Sequence, residues 1–470
     1  MALTGMRALH TLLFGVLSFL PKFTLAAELA TEPANEPAAQ SPSDSVAEKS
    51  APSRWRLSTA IEEALRRSPS ARLAEARVAA AQSSLDAARA AFWPQLSVGL
   101  QYSVTNNSAM AFGSILNQEA FRPDLNFNDV SAVDDLNASA TVRVPLFTGL
   151  SRFAQRDAAD AGVEMARLDH QAVQRTLVFE VARAYFTVLK ARAFIHAADA
   201  AVKAFDHNLE IAKQRLSQGT LLKQATLDVE LRRARALEDL SRATHAEALA
   251  REGLKSVMGL EPNVVLDIES IDLGKAPDLT DTAQRERPEL ASSARAIDQA
   301  EAGARAAKGA YWPQIGAFAS LMFDHGFIED GHKLSYLAGV DLRWSVWDGM
   351  LTASRVAGAE AGARMAEAQA AQLRIALNLE LEQARIRLRE AKARVSVTEQ
   401  AIDLAAESAQ LTRARFEEGL AIASQIIDAE TELTAAQVRN AEAVADFHIA
   451  LAALVRALGL PSTFYVQADD

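Results

Sequence analysis

The chain has 470 residues, 49% of them hydrophobic, no cysteine, and a formal net charge of −11. The absence of cysteine excludes disulfides, thiolate metal sites, cysteine nucleophiles and a lipidated N-terminal cysteine, so any attachment to a membrane must come from the fold itself. The acidic balance argues against nucleic acid and against anionic membrane surfaces as partners.

At the N-terminus, Arg7 precedes an apolar stretch from Leu9 to Leu20, and Thr24-Leu25-Ala26 follows. This layout predicts a secretory signal peptide over residues 1–26. About 12 apolar residues broken by Pro21 are too few to span a bilayer. Removing Arg7 and Lys22 would take the charge from −11 to −13. Residues 27–56 are mostly Glu, Pro, Ala and Ser and read as a disordered linker. No later segment has about 18 apolar residues in a row, so no transmembrane helix is expected.

A first unit follows over residues 57–262. It opens with a helix over 57–92. Residues 95–105 then alternate Leu96, Val98, Leu100, Tyr102 and Val104 with polar or small residues, and 135–146 alternate Leu136, Ala138, Ala140, Val142, Val144 and Leu146 with Asn137, Ser139, Thr141 and Arg143. Period-two alternation of this kind predicts strands. Between Ser151 and Leu216 there is no proline, and Leu177, Val181, Ala184, Val188, Ala191, Ile195, Ala198, Val202, Phe205, Leu209, Ala212 and Leu216 step by four and three. That heptad seam predicts one long helix over about 150–216, reaching about 100 Å at 1.5 Å per residue. Gly219 sits where a helix ends, and a return helix over 222–258 makes a hairpin.

After a linker over 263–279, a second unit over 280–461 repeats the first. Its strands are expected at 314–323 and 335–346, its long helix at 350–416 and its return helix at 422–458, with a tail over 462–470. Trp93-Pro94 returns as Trp312-Pro313, a shift of 219, whereas Gly149, Gly219 and Gly259 return as Gly349, Gly419 and Gly459, a shift of 200. The 19-residue difference falls in the loops between paired strands, 106–134 in the first unit and 324–334 in the second. So long a period is a duplication rather than a solenoid.

Four strands of about ten residues, each with one apolar and one polar face, match transmembrane β-strands around a wet interior. A soluble half-buried sheet would alternate in the same way. Trp93, Tyr311, Trp312, Trp344 and Trp347 at the strand ends favour the membrane, where aromatic side chains form girdles. Four strands cannot close, and an open edge in hydrocarbon strands backbone groups at several kcal/mol each. Copies of the chain must therefore pair. Two would give eight strands filled by their own side chains and three would give twelve around a channel, which the polar face favours.

These features together resemble the outer-membrane efflux protein family of TolC type. They are the signal peptide, the duplicated helix-strand-strand-helix unit, Trp-Pro before the first strand, Pro145-Leu146-Phe147-Thr148-Gly149 after the second, and Arg-X-X-X-Gly at the hairpin ends. The resemblance covers about 57–461. It departs from lipidated members in lacking cysteine, and from the first copy in having Trp347-Asp348-Gly349. It implies a mainly α fold with a membrane β-barrel portion, a homotrimer forming a twelve-stranded barrel continued by a long coiled-coil α-barrel, and a location in the cell outer membrane extending into the periplasm. It further implies a passive exit duct of a tripartite efflux or type I secretion system, contacting outer-membrane lipid, a periplasmic adaptor and an inner-membrane pump, with no cofactor.

Strand parity places Gln101, Thr141, Arg143, Asp341 and Arg343 in the barrel lumen, with Leu100, Val142, Leu342 and Trp344 toward lipid. Arg215, Gly219, Arg415 and Gly419 mark the adaptor-docking hairpin tips, although a glycine after a helix and a cation in its last turn are also ordinary capping chemistry. Glu417 and Glu418, multiplied by threefold symmetry, are candidates for a periplasmic gate ring. No phosphate-binding loop, zinc-protease or serine-hydrolase motif occurs, and no enzyme is expected. Asp324, His325, Glu329, Asp330 and His332 crowd the second loop, where a solvated polar loop is a plainer reading than a metal site. The competing class is a periplasmic coiled-coil scaffold or adaptor, which would explain the hairpins but not four amphipathic strands.

Overall fold

The computed structural model describes residues 54–126, 128, 130–269, 279 and 285–460. All of these belong to one compact unit, Ser53–Asp470. The expected signal peptide, nearly all of the linker after it, most of the inter-unit linker and the tail lie outside the described residues.

The first unit contains α1 (Leu57–Arg67), α2 (Pro69–Ala90), β1 (Gln95–Thr105), α3 (Ser108–Asn117), β2 (Val133–Thr148), α4 (Ser151–Ser217) and α5 (Lys223–Met258). The second contains α6 (Pro288–Lys308), β3 (Gln314–His325), β4 (His332–Arg343), α7 (Leu351–Glu417) and α8 (Ala423–Ala457). One helix was expected over 57–92, and there are two. Pro69 disfavours a helical conformation at Ser68, whose ψ of 130° ends α1, and the same proline opens α2 in its first turn. Gly259 packs into this break, where a Cβ would lie 3.0 Å from the Arg67 carbonyl oxygen.

The long helices α4 and α7 have 67 residues each. On α4 the seam from Leu177 to Ala212 is buried at Leu177, Val181, Val188, Ala191, Ala198, Val202, Phe205 and Leu209. It packs against α2 and α6 along one half and against α5 and α8 along the other. Among the described residues helix α7 packs chiefly against α6 and α8. Its far side therefore leaves Ile375, Leu379, Ile386, Val397, Leu404 and Leu411 exposed among the described residues, a second apolar stripe.

The main core lies midway along the long helices. It gathers Trp55, Ile61, Val181, Tyr185, Leu254, Met258, Leu266, Ile268, Leu388, Leu454 and Leu458. Trp55 corrects the sequence reading, because the last residues of the expected disordered linker are ordered. Its N–H donates to the Asp267 carbonyl at 2.7 Å, and its carbonyl accepts from Glu269 N–H at 2.9 Å, a parallel bridge beside Ile268. The Tyr185 hydroxyl closes the site by donating to the Glu269 carbonyl at 2.6 Å.

The four strands form one antiparallel sheet in the order β1-β2-β3-β4. Among the described residues, both β1 and β4 have an unpaired outer edge. The strand expected at 335–346 lies three residues earlier, at 332–343. Trp344 and Val346 therefore follow the strand instead of continuing its alternation, and Trp344 Nε1 donates to the Tyr311 carbonyl at 3.1 Å. The 106–134 segment, read as a loop, contains the ten-residue helix α3.

Candidate functional site

The sheet register decides which side chains share a face. Gln95 lies opposite Arg143, Ser97 opposite Thr141 and Gln101 opposite Asn137. On the next pair, Thr141 lies opposite Ser320 and Asn137 opposite Asp324. On the last, Asp341 lies opposite Gly316 and Arg343 opposite Gln314. All five residues expected to line a lumen thus share one face. Hydrogen bonds run along it: Thr141 and Ser320 hydroxyls are 2.8 Å apart, and Asn137 Nδ2 donates to Asp324 Oδ1 at 2.7 Å. Phe318 interrupts this face. Its ring lies over Gly339, where a Cβ would meet Cζ at 3.1 Å.

The opposite face carries Leu96, Val98, Leu100 and Val142 with Ala319, Leu321, Val340 and Leu342. Several of these are more than half exposed, Val98 at 79% and Leu100 at 73%, so the single chain leaves a broad apolar surface uncovered. Such a patch marks contact with a membrane or partner. Aromatic rings bound it at both ends. Tyr102, Phe327 and His325 cluster at the loop end. Trp93, Tyr311, Trp312, Trp344 and Trp347 stand exposed at the helix end.

Each strand-to-helix junction uses two consecutive left-handed residues, Gly149-Leu150 and Gly349-Met350. The first is pinned. A Cβ on Gly149 would lie 2.1 Å from the Gly309 carbonyl oxygen, so the two repeats touch there through backbone. Arg152 then ties its helix to two other segments, donating to the Ala91 carbonyl at 2.9 Å after α2, and to the Pro145 carbonyl at 2.7 Å and Thr148 Oγ1 at 3.2 Å in β2.

About 100 Å away along the helices lie the hairpin tips. Gly219 and Gly419 have φ of +74° and +83°. Gly219 N–H donates to the Leu216 carbonyl and Thr220 N–H to the Arg215 carbonyl, and Gly419 and Leu420 repeat this toward Phe416 and Arg415. Both are Schellman caps, which need the left-handed residue. The two arginines differ. Arg215 crosses to the other hairpin, donating from Nη1 to the Phe416 carbonyl at 3.1 Å with its guanidinium 5.3 Å from the Phe416 ring centre. Arg415 is exposed beside a groove lined by Thr412, Gln425 and Asp428. Glu417 Oε1 lies 3.2 Å from His207 Nε2 and accepts a hydrogen bond when that nitrogen carries its proton; both Glu417 and Glu418 are exposed.

Beneath the tips, buried Glu430 accepts from Arg413 Nη2 at 2.6 Å and lies 3.5 Å from Asn208 Nδ2. The sequence reading missed this group. Its signal was a cation 17 residues before an acid straddling the turn, Arg413 and Glu430, which the first unit repeats as Lys213 and Glu230. Midway up, buried Arg287 binds Glu289 and Glu380 at 2.7 Å each, and Arg456 also binds Glu380. Burial pushes the Glu380 carboxyl up, but hydrogen bonds from Arg456 and Arg287 outweigh it and hold the group below the ordinary carboxylate range. Glu289 is likewise lowered, with burial overcome by the bond from Arg287.

Among the described residues no cluster of three or more His, Cys, Asp or Glu is arranged to hold a metal ion, and no helix is long and apolar enough to cross a membrane. His325 and His332 face each other across β3 and β4.

The model of the outer membrane efflux protein family matches residues 60–260 and 279–460, both repeated units. The chain belongs to that family. It is an outer-membrane efflux channel that reaches into the periplasm. Protein CyaE of Bordetella pertussis is 26% identical over 417 residues, spanning 86% of this chain and 84% of that one. The fold matches the outer-membrane channel OprN with a TM-score of 0.74 at 19% identity, covering 86% of this chain and 90% of that one. It also matches the Campylobacter jejuni CmeC outer membrane channel with a TM-score of 0.73 at 13% identity, covering 88% and 89%. In an efflux channel, a sheet polar on one side and apolar on the other has a direct use. The family and fold are those of passive channels, and a periplasmic scaffold or adaptor is not what this chain is.

Proposed function

We propose that three copies of the chain close a twelve-stranded barrel, with the polar face inward and the apolar face in lipid, and that substrates leave passively through it. The observation that carries this reading is the four-stranded sheet with two unpaired edges and one uncovered apolar face, continuous with helices about 100 Å long. The exposed stripe on α7 supports it, because a neighbouring copy would cover Ile375, Ile386, Val397 and Leu404 in the same assembly. Gln101, Thr141, Arg143, Asp341 and Arg343 then line the lumen.

The hairpin tips are the docking surface for a periplasmic adaptor, and an inner-membrane pump feeds the duct through it. Gly219 and Gly419 shape that surface, Arg215 holds the two hairpins together, and exposed Arg415 and Glu418 face the partner or the pore. The system is a tripartite efflux or type I secretion assembly. The test uses single cysteines in this cysteine-free chain, extracted from outer membranes as an oligomer whose mass is measured in detergent. A trimer in which a membrane-impermeant thiol reagent labels Gln101→Cys and Asp341→Cys but not Leu100→Cys is expected. A monomer, or preferential labelling of Leu100→Cys and Leu342→Cys, refutes the reading.

A further inference from the structure

The longest loop of the first unit is built, and built on the polar face of the sheet. Asn107 caps α3, its Oδ1 accepting from Ala109 and Met110 N–H groups at 3.1 and 3.3 Å. Ala111 and Ile115 are buried against Val133. By strand parity Val133 and Asp135 belong with Asn137 and Thr141, and Lys333 lies opposite Asp324, so all three are on the face that carries the lumen set. Gln118, fully buried, donates from Nε2 to the Asp134 carbonyl at 2.7 Å and to Asp135 Oδ1 at 3.0 Å. Lys333 pairs with Glu119 at 3.2 Å and Arg122 with Glu329 at 3.4 Å.

The facing loop makes room for this. A Cβ on Gly331 would lie 2.4 Å from the Gln118 carbonyl oxygen and one on Gly326 would lie 2.2 Å from Gln118 Oε1. Two glycines of the second unit therefore accommodate one glutamine of the first. On the other side of the sheet, at the same end, stand Tyr102, His325 and Phe327. The helix and the aromatic cluster lie on opposite faces.

The outward side of α3 is apolar. Met110 is 59% exposed, and Leu116, Phe112 and Phe121 also present surface, the two rings edge to face at 6.3 Å. We infer that α3 folds into the barrel mouth and that its copies from three chains meet there as an apolar constriction, which sets what may pass at the exit. This rests on the trimeric barrel with its polar face inward. Size supports the contact between copies. Twelve strands about 4.8 Å apart and tilted by about 40° enclose a backbone radius of about 12 Å. Three helices, each about 10 Å across with side chains, fill a circle of about 11 Å radius, so α3 helices lying at that level cannot avoid one another. An apolar constriction resists hydrated ions by dewetting and admits apolar or extended chains more readily.

Single-channel recording of the full-length trimer tests this. A bulky thiol reagent added to the Met110→Cys variant should lower the current in as many as three steps, and Met110→Asp should raise potassium conductance by about twofold or more. Gln101→Cys serves as the lumen control and Leu100→Cys as the lipid control. If Met110→Cys is shown by mass to be modified and the current is unchanged while modified Gln101→Cys reduces it, the constriction is overturned and the polar lumen stands. If modification acts at Leu100→Cys and not at Gln101→Cys, the sheet polarity is wrong and the constriction falls with it.

Discussion

Replacing Arg215 with alanine should loosen the tip of the second hairpin, although Arg215 belongs to the first. Its Nη1 donates to the Phe416 carbonyl, one of the groups that the end of α7 leaves for capping, and its guanidinium lies over the Phe416 ring. A hydrogen bond involving a charged group contributes about 1.5 to 3 kcal/mol, and partial exposure puts this one near the lower end. The ring contact adds about 0.5 to 1 kcal/mol at such a site. Together they give about 2 kcal/mol, or roughly a thirtyfold increase in local opening. Arg415→Ala removes only a cation near a helix C-terminus, about 0.3 to 1 kcal/mol, and should change opening by about fivefold at most. Hydrogen exchange at the Gly419 and Leu420 amides, which donate to Phe416 and Arg415, reads the difference. Equal acceleration in both variants, or none in Arg215→Ala, would refute the assignment of Arg215 as the link between hairpins. Export measured alongside separates the roles: Arg415→Ala should weaken adaptor coupling without moving these amides.

Gly149→Ala and Gly349→Ala both place a side chain at positive φ, at about 1 to 2 kcal/mol. Only Gly149→Ala also drives a Cβ against the Gly309 carbonyl, so its trimers should lose markedly more thermal stability in detergent. Val142→Arg, on the apolar face, should cost about 2 to 4 kcal/mol if near the bilayer midplane, read as the urea midpoint in lipid vesicles; no change would place that face elsewhere. Glu380→Gln leaves buried Arg287 short of a partner and should cost about 3 kcal/mol. Because the folded carboxyls of Glu380 and Glu289 lie below their ordinary value of 4.5, their contribution is present above that pH and lost as pH falls through the lowered values. The acid limb of the wild-type stability profile should therefore flatten in Glu380→Gln, and an unchanged profile would count against the cluster. Glu418→Gln should alter cation selectivity in single-channel recordings more than Glu417→Gln, whose carboxylate is engaged with His207.

Elements whose two sides meet different surroundings left the clearest trace in the sequence. The strands alternate because one face is polar and the other apolar, and β1 lies at 95–105 as its alternation predicts. The long helices show in their seams, ending one residue later than expected. Helix α3 left no comparable mark. Its ten residues include Gly113, a poor helix former, and it is held by Val133, Asp135 and Lys333, partners that only the folded sheet brings near. The break at Ser68 was within reach, since Pro69 signals it.

Duplication hid the most consequential asymmetry. Arg215 and Arg415 occupy the same position in matching caps, and α4 and α7 carry the same seam, so local sequence makes each pair equivalent. Packing makes them unequal. Helix α4 collects α6 and α8 from the second unit in addition to its own α1, α2 and α5, whereas α7 packs chiefly against α6 and α8 and meets α4 at the tips. Arg215 consequently reaches a neighbouring helix end while Arg415 faces solvent. The apolar stripe left over on α7, at Leu379, Ile386, Leu404 and Leu411, is more than half exposed among the described residues. A repeat that folds identically twice cannot by itself explain why one copy is enclosed and the other is not. A second chain laid against α7, in the assembly that also pairs the free edges of β1 and β4, accounts for both.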